Sequence, residues 1–361
     1  MQHAAKEVAR SGPSIERAST EAGESPAADV GRFTRTCFAA ERAEDFLEWI
    51  SSDGDLTPAM LSRLAGDISL PLIGKIVELR QQVARDRRPP RIRPVICVPL
   101  SGMIAEEGIE RAAGKAAAYL RAVDEDVDLE QAIGIAVDSW PSTRELPSLL
   151  ECAQSMLSAQ RYRNRFFLLG PSATELKESL HSPKALAEAL RMLAAAGVIG
   201  LEGGTDREVH RQAADAGMRS SIGQVVQVDA RGVLTEDFLA ELYEWRRETR
   251  RARSYVSWFP WCREPLDVGR TVSQAPLGAA MLRAVALGSL ALPDVLYVRA
   301  PITRLGEKVS HIALHFGAND LGFVAVDELS ARRLGIAPYS AAARIVGTTA
   351  IRSELTGDSH V

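Results

Sequence analysis

The chain is poor in cysteine. Its four thiols, Cys37, Cys97, Cys152 and Cys262, stand far apart in 361 residues. No pair has the short spacing of a zinc site, and no three have that of a loop wrapping an iron–sulfur cluster. No disulfide framework and no secretory signal are legible, so a reduced, cytoplasmic chain is expected. Apolar runs are short of the roughly 20 residues that span a bilayer, which argues against a membrane partner. An excess of one charge is missing as well: 43 Lys and Arg stand against 47 Asp and Glu. That balance leaves no broad basic footprint for nucleic acid. Arg246, Arg247, Arg250, Arg251 and Arg253 do cluster, but Glu244 and Glu248 interleave with them, as on a solvated helix face. Aromatics amount to 6% of the chain, which sets apart the run Trp258-Phe259-Pro260-Trp261-Cys262.

What is present is globular: 46% hydrophobic and 25% charged residues. The length suits one TIM-type (β/α)8 barrel, about 250 residues, with additions. Residues 1–40 are rich in Ala, Ser, Glu, Gly and Pro and read as a disordered tail. Residues 41–90 read as an N-terminal helical arm, with one helix over Glu41–Ile50 and another starting at Thr57-Pro58, a hydroxyl cap followed by proline. Residues 91–345 read as the barrel and 346–361 as a flexible C-terminal tail.

Within 91–345 short apolar runs alternate with helical patterns, the rhythm of βα units around a parallel sheet. Strands are expected at Val95–Val98, Ile133–Val137, Phe166–Leu169, Val198–Leu201, Ile222–Val226, Tyr255–Phe259, Val295–Val298 and Ile312–Leu314. Helices are expected over Glu106–Val123, Leu146–Leu157, Pro183–Ala196, Asp206–Ala216, Thr235–Arg251 and Leu277–Leu290. The last connection leaves room for only one helical turn, which is compatible with an open or distorted barrel.

In such a fold function belongs at the carboxyl ends of the strands. Glu202, Asp138 and Asp320 are the candidate acid–base residues there. Trp140, Gly203, Gly204, Gln224, Trp258, Arg299, His315 and Asn319 are the candidate ligand-binding residues. The mixture suits a small polar, ring-containing metabolite. Several of these residues have a plainer reading. Glu202-Gly203-Gly204 serves equally as a strand-to-helix turn capped by Thr205 or Asp206, or as an anion site at a helix start. Trp258 fits outer packing or a stacking wall. Asn319 and Asp320 fit a loop that binds its own backbone, or one that binds a ligand. In a strand His311 and His315 would lie about 13 Å apart, too far to share a metal; in a helix they would meet. His210 reads as a surface or packing residue, and no metal site is expected.

One stretch carries a family likeness. Val309-Ser310-His311-Ile312-Ala313-Leu314-His315-Phe316-Gly317-Ala318-Asn319-Asp320-Leu321-Gly322 resembles the last strand and glycine-rich loop of radical S-adenosylmethionine (SAM) enzymes. The group in question includes dehypoxanthine futalosine cyclase, aminofutalosine synthase and the deazaflavin (FO) synthase subunits. Leu277 to Arg299, Leu190 to Gly204 and His210 to Ile222 are similar to neighbouring segments of that group, and Thr57 to Arg85 to its helical lead-in. The resemblance implies a SAM-type barrel and a link to futalosine-dependent menaquinone or deazaflavin biosynthesis. It also implies three closely spaced cysteines after the first strand, where this chain reads Pro99-Leu100-Ser101-Gly102-Met103-Ile104-Ala105-Glu106-Glu107-Gly108. The glycine-rich turn that helps hold SAM in the group is here Asp138-Ser139-Trp140-Pro141. The expectation is therefore a pseudoenzyme: no four-iron cluster, SAM binding left open, and radical catalysis lost from this chain alone. Its role would be binding a small molecule, or partnering a true radical SAM enzyme subunit. A repurposed non-radical enzyme using the pocket carboxylates is the alternative.

Overall fold

The computed structural model describes residues 58–84, 90–126, 132–142, 144–158, 165–180, 182–262 and 275–347. The expected tail at 1–40 and the helix at Glu41–Ile50 lie outside the described residues. Two helices, α1 (Pro58–Gly66) and α2 (Leu70–Ala84), lead in. Then follow β1 (Arg91–Val98), α3 (Leu100–Glu107), α4 (Ile109–Asp126), β2 (Ile133–Val137), α5 (Leu146–Ser158), β3 (Phe166–Leu168), α6 (Ala173–Ser179), α7 (Pro183–Ala195) and β4 (Gly200–Glu202). The second half runs α8 (Arg207–Asp215), β5 (Arg219–Val225), α9 (Glu236–Arg251), β6 (Tyr255–Trp261), α10 (Ala275–Ala291), β7 (Tyr297–Val298), α11 (Ile302–Ala313), β8 (Asp320–Ala325) and α12 (Glu328–Leu334). A last helical stretch covers 339–347.

The fold is α/β, with parallel strands in two four-stranded sheets ordered β3-β2-β1-β8 and β4-β5-β6-β7. The sheets meet at two seams. At the β7–β8 seam a parallel bridge joins Arg299 and Asp320, with Asn319 N–H donating to Val298 O at 2.9 Å and Ala300 N–H to Asp320 O at 2.7 Å. At the β3–β4 seam the backbone hydrogen bonds lie past the end of β3, where Glu202 N–H donates to Pro171 O (3.1 Å) and Ala173 N–H to Gly203 O (2.9 Å).

Local chemistry explains most of the element ends. Ser172 and Glu175 form a reciprocal capping box on α6, Ser182 accepts from Ala185 N–H ahead of Pro183 on α7, and Asp206 and Thr235 cap α8 and α9. Trp245, Trp258 and Phe238 are fully buried with the apolar faces of α1, α2 and α10 over β5–β7, while Leu120, Leu149 and Leu190 bury the other flank. The lead-in helices are pinned to α10 by arginines that donate to backbone oxygens. Arg283 reaches Leu64 O and Ile68 O at 2.9 and 2.6 Å, and Arg80 reaches Leu290 O at 2.6 Å near the carboxyl end of α10.

Two expectations at the end of the chain are corrected. Ile312–Leu314 is not a strand: Ile312 and Ala313 close α11, and Leu314 opens a 3₁₀ turn that runs to Phe316. Buried Ile302, Leu305 and Ala313 with exposed Ile312 follow a helical face rather than an alternating one. The last connection therefore holds 12 helical residues, kinked at Gly306 (φ 74°), rather than a single turn. The eighth strand is Asp320–Ala325, so the Gly317–Gly322 stretch enters a strand instead of leaving one. Gly317, at φ 95°, makes the turn, and a Cβ there would stand 2.4 Å from Ser289 Oγ.

Candidate functional site

Polar side chains from four distant segments converge inside the sheets. Arg93 on β1 places Nη2 2.7 Å from Asp320 Oδ2 and Nη1 3.5 Å from Glu202 Oε1. Arg299, just past β7, places Nη2 3.4 Å from Glu202 Oε2 and Nε 3.5 Å from Asp320 Oδ2. The Asp320 side chain is 0% exposed, that of Arg299 4% and that of Arg93 9%. Ser221 and Ser257, register partners on β5 and β6, both accept from Arg299 Nη2, at 3.4 and 3.0 Å. Rings sandwich the cations: Phe259 and Phe323 lie 4.9 and 5.0 Å from the Arg299 guanidinium, and Phe323 5.4 Å from that of Arg93.

Electrostatics holds this cluster charged. Burial pushes the Asp320 carboxyl up, but Arg93, Arg299 and the Gly322 N–H outweigh it and hold the group below the usual carboxylate range. Burial also opposes the charge on Arg93, which Asp320 and Glu202 more than restore; Arg299, fully enclosed and close to Arg93, is held below the ordinary arginine range. Desolvating so many charges costs more than a comparable apolar core would, so the cluster calls for a role beyond stability.

Next to it lies a cavity of about 450 Å³, lined by Arg91, Arg93, Phe166, Leu168, Gly170, Gly200, Glu202, Arg219, Ser220, Phe323 and their neighbours. Its position follows from the β3–β4 seam. A Cβ on Gly170 would stand 2.1 Å from Gly200 O, and one on Gly200 would stand 2.2 Å from Arg219 O, so two glycines let the backbones close tightly. On the amino side of that pinch β3 and β4 are both sheet edges, and the space between them forms the cavity. The lining gathers the starts of β1, β2, β3 and β5 and runs the length of β3 and β4 to Gly170 and Glu202.

The structure brings together three of the candidates read from the sequence, Glu202, Asp320 and Arg299. The others are dispersed. Asp138, exposed at the end of β2, accepts from Ser101 N–H at 3.3 Å; Trp140 packs on the flank beside Leu146. Gly203 and Gly204, at φ 98° and 96°, tie β4 to its neighbours, with Gly203 N–H donating to Ser221 O and Gly204 O accepting from Gly223 N–H. Buried His210 sets Nε2 3.1 Å from that same Gly204 O, and burial holds its pKa below the usual value, keeping the ring neutral. Gln224 and Trp258 bind each other at 3.1 Å beneath the helices, with Gln224 also donating to Phe238 O. His315 is exposed in the turn after α11, its ring 6.3 Å from that of His311, the helical alternative. Among the described residues no group of three or more His, Cys, Asp or Glu is arranged to hold a metal ion.

Asn319 is spent on backbone: Oδ1 accepts from Val298 N–H at 2.8 Å and Nδ2 donates to Leu296 O at 3.1 Å. Asn319→Ala should therefore cost about 1–3 kcal/mol, because a buried amide loses its acceptor. Urea denaturation of the variant measures this, and an unchanged midpoint would contradict it.

Sequence reasoning missed Arg93, Arg91, Arg219, Ser221, Ser257 and Phe323. The available signal was Arg91-Ile92-Arg93 entering an apolar run: arginines two apart share a face of a strand. Pro94 obscured it, because proline inside a strand suggests a later start.

The three described thiols stand on separate elements. Cys97 on β1, Cys152 in α5 and Cys262 past β6 are all buried. Burial pushes the Cys97 thiol up and that of Cys152 to about 11, whereas a cluster needs thiolates. Directly after β1 stands α3, a helix of Leu100–Glu107 without cysteine.

Residues 252–352 match the CofH/MqnC C-terminal region, a stretch that holds Arg299 and Asp320 but not Arg93 or Glu202. Among solved structures the chain is similar to HydG, a maturase of the FeFe hydrogenase, at 10% identity and TM-score 0.50, covering 82% of this chain and 71% of that one. It is also similar to methylornithine synthase (PylB), at 12% identity and TM-score 0.50, covering 82% and 98%. No curated protein sequence matches the chain. Among the described residues no helix is long and apolar enough to cross a membrane.

Proposed function

We propose that this chain, a relative of the radical SAM enzymes whose residues 252–352 match the CofH/MqnC C-terminal region, is a cluster-less barrel that binds a small molecule. In this reading it serves a true radical enzyme of futalosine, menaquinone or deazaflavin biosynthesis as an accessory. The observation that carries the reading is a cavity of about 450 Å³ set against the buried Arg93–Asp320–Arg299–Glu202 cluster. Buried charge beside a concave space is the pattern of a ligand site. The sequence spacing supports the cluster-less half: Cys97, Cys152 and Cys262 stand on separate elements, not on one loop of closely spaced cysteines.

A non-radical enzyme using Glu202, Asp138 and Asp320 as acid and base is less well supported. Asp320 faces two arginines, which favour its charged carboxylate and disfavour proton donation, and Glu202 is tied to the same two side chains. Asp138 sits apart from both, against Ser101.

Anaerobic reconstitution of the purified chain with iron and sulfide should leave it colourless, and native mass spectrometry of freshly purified protein should show a bound metabolite. A stoichiometric cluster absorption band would overturn the cluster-less half. A protein that carries no metabolite and takes up none would overturn the binding half.

A further inference from the structure

The cavity beside the arginine cluster also indicates what it holds. Its lining contains three arginines, Arg91, Arg93 and Arg219, against one carboxylate, Glu202. The charge on Arg93 is answered by Asp320 at 2.7 Å. Arg91 and Arg219 are exposed at the starts of β1 and β5, and neither is in ion-pair contact with a described carboxylate; Arg91 acts on Asp320 only through its field and lies 4.7 Å from the Tyr297 ring. Two cations are thus left over at the mouth. Deeper in, a buried lining group lacks a hydrogen-bond partner: Arg93 Nε, on a residue 9% exposed. Such a group is rare in folded proteins and points to a partner supplied from the cavity itself. The rest of the wall is apolar, with Phe166, Leu168, Leu201 and Phe323.

We propose that this cavity takes a small organic anion with an apolar or aromatic body, admitted from the amino ends of the strands between β3 and β4. Arg91 and Arg219 draw the anionic group in, Arg93 donates to it, and the phenylalanines cover the body. The volume falls within the range of about 300–1,000 Å³ typical of small-molecule sites. The inference rests on the binding reading above and adds charge, entry side and contact residues to it.

A matched pair of probes tests it on the full chain: 2-naphthoate and its neutral amide, each displacing the fluorescent anion 8-anilinonaphthalene-1-sulfonate. The acid should bind at least about tenfold more tightly than the amide, the equivalent of 1.4 kcal/mol, and its affinity should fall with added salt. Arg91→Gln and Arg219→Gln should each weaken the acid severalfold and leave the amide alone. Both side chains are exposed, so the fold should persist, as far-UV circular dichroism checks. Leu168→Trp, which fills the cavity, should abolish displacement. Equal affinity for acid and amide, or indifference to both arginine substitutions, overturns the anion inference while the binding reading stands. Inorganic phosphate competing as well as naphthoate overturns the apolar body. Binding of neither probe, together with no co-purified metabolite, overturns both readings.

Discussion

Asp320→Asn should destabilise the protein by about 3–5 kcal/mol at neutral pH, the cost of stripping a buried ion pair of one partner. The substitution is nearly isosteric, and an asparagine oxygen still accepts from Gly322 N–H, which now lies 2.7 Å from Oδ1. What is lost is the charge facing Arg93 at 2.7 Å and Arg299 at 3.5 Å. Glu202, at 3.5 and 3.4 Å from the same two cations, is left to balance both. Against a total stability of about 5–15 kcal/mol for a typical domain, the loss is large. Its pH dependence has a definite sign. The carboxyl is held below its ordinary value in the fold, so its contribution is fully present above the unfolded pKa of about 3.9 and fades as pH falls through the lower, folded value. The gap between the native chain and Asp320→Asn should therefore narrow in acid. Adding Arg299→Met should recover part of the loss, since one uncompensated cation is removed with it. Denaturant titrations at neutral and acid pH read all three effects. A cost below about 1 kcal/mol, the level of an exposed pair, would mean that the cluster is solvated rather than buried.

The same aspartate marks where the sequence could and could not be read. Ile133–Val137 announces itself as a strand by an uninterrupted apolar run, and Tyr255 onward by aromatic and β-branched residues dense enough to outweigh Ser257 and Pro260. The helices α5, α7 and α9 follow from their spacing and caps to within a residue or two. The eighth strand hides because it begins with a buried aspartate and continues through Gly322 at φ 83°, features that locally spell a turn. Only long-range context, the arginines of β1 and of the segment after β7, makes Asp320 a strand residue. For the same reason Glu202, Asp320 and Arg299 were visible as candidates one at a time, but their meeting was not. Arg93, which joins them, sits in front of a proline that breaks the local strand pattern. The cavity was wholly illegible, since it arises from a missing ladder between β3 and β4, and pairing that fails to form leaves no residue signature. The expectation that function gathers at the carboxyl ends followed the habit of barrel folds; the cavity reaches from those ends, at Gly170 and Glu202, to the starts of β1 and β5.

Gly170→Ala should be the most damaging small substitution at that seam, costing about 3 kcal/mol, the upper end of overpacking effects. The new methyl group would sit 2.1 Å from Gly200 O and 3.0 Å from Val198 Cγ1. The first of these is backbone, held by the tight stacking of Gly200 on Arg219, so it cannot swing aside as a side chain would. Relief requires β4 to move away from the end of β3, stretching the Glu202 N–H bond to Pro171 O and the Ala173 N–H bond to Gly203 O. Glu202 travels with β4 and would draw back from Arg93 and Arg299, so the site should loosen along with the seam. Gly66→Ala serves as the control, because nothing lies within 4 Å of the added carbon there. That change should be neutral or mildly stabilising through the unfolded chain. Paired urea titrations of the two variants separate the outcomes, and naphthoate affinity reports whether the site loosens with the seam. A Gly170→Ala protein as stable as Gly66→Ala would mean that β3 and β4 are not pinched together. The cavity would then be an open cleft, and the buried arginines would lose the enclosure that makes their charges count.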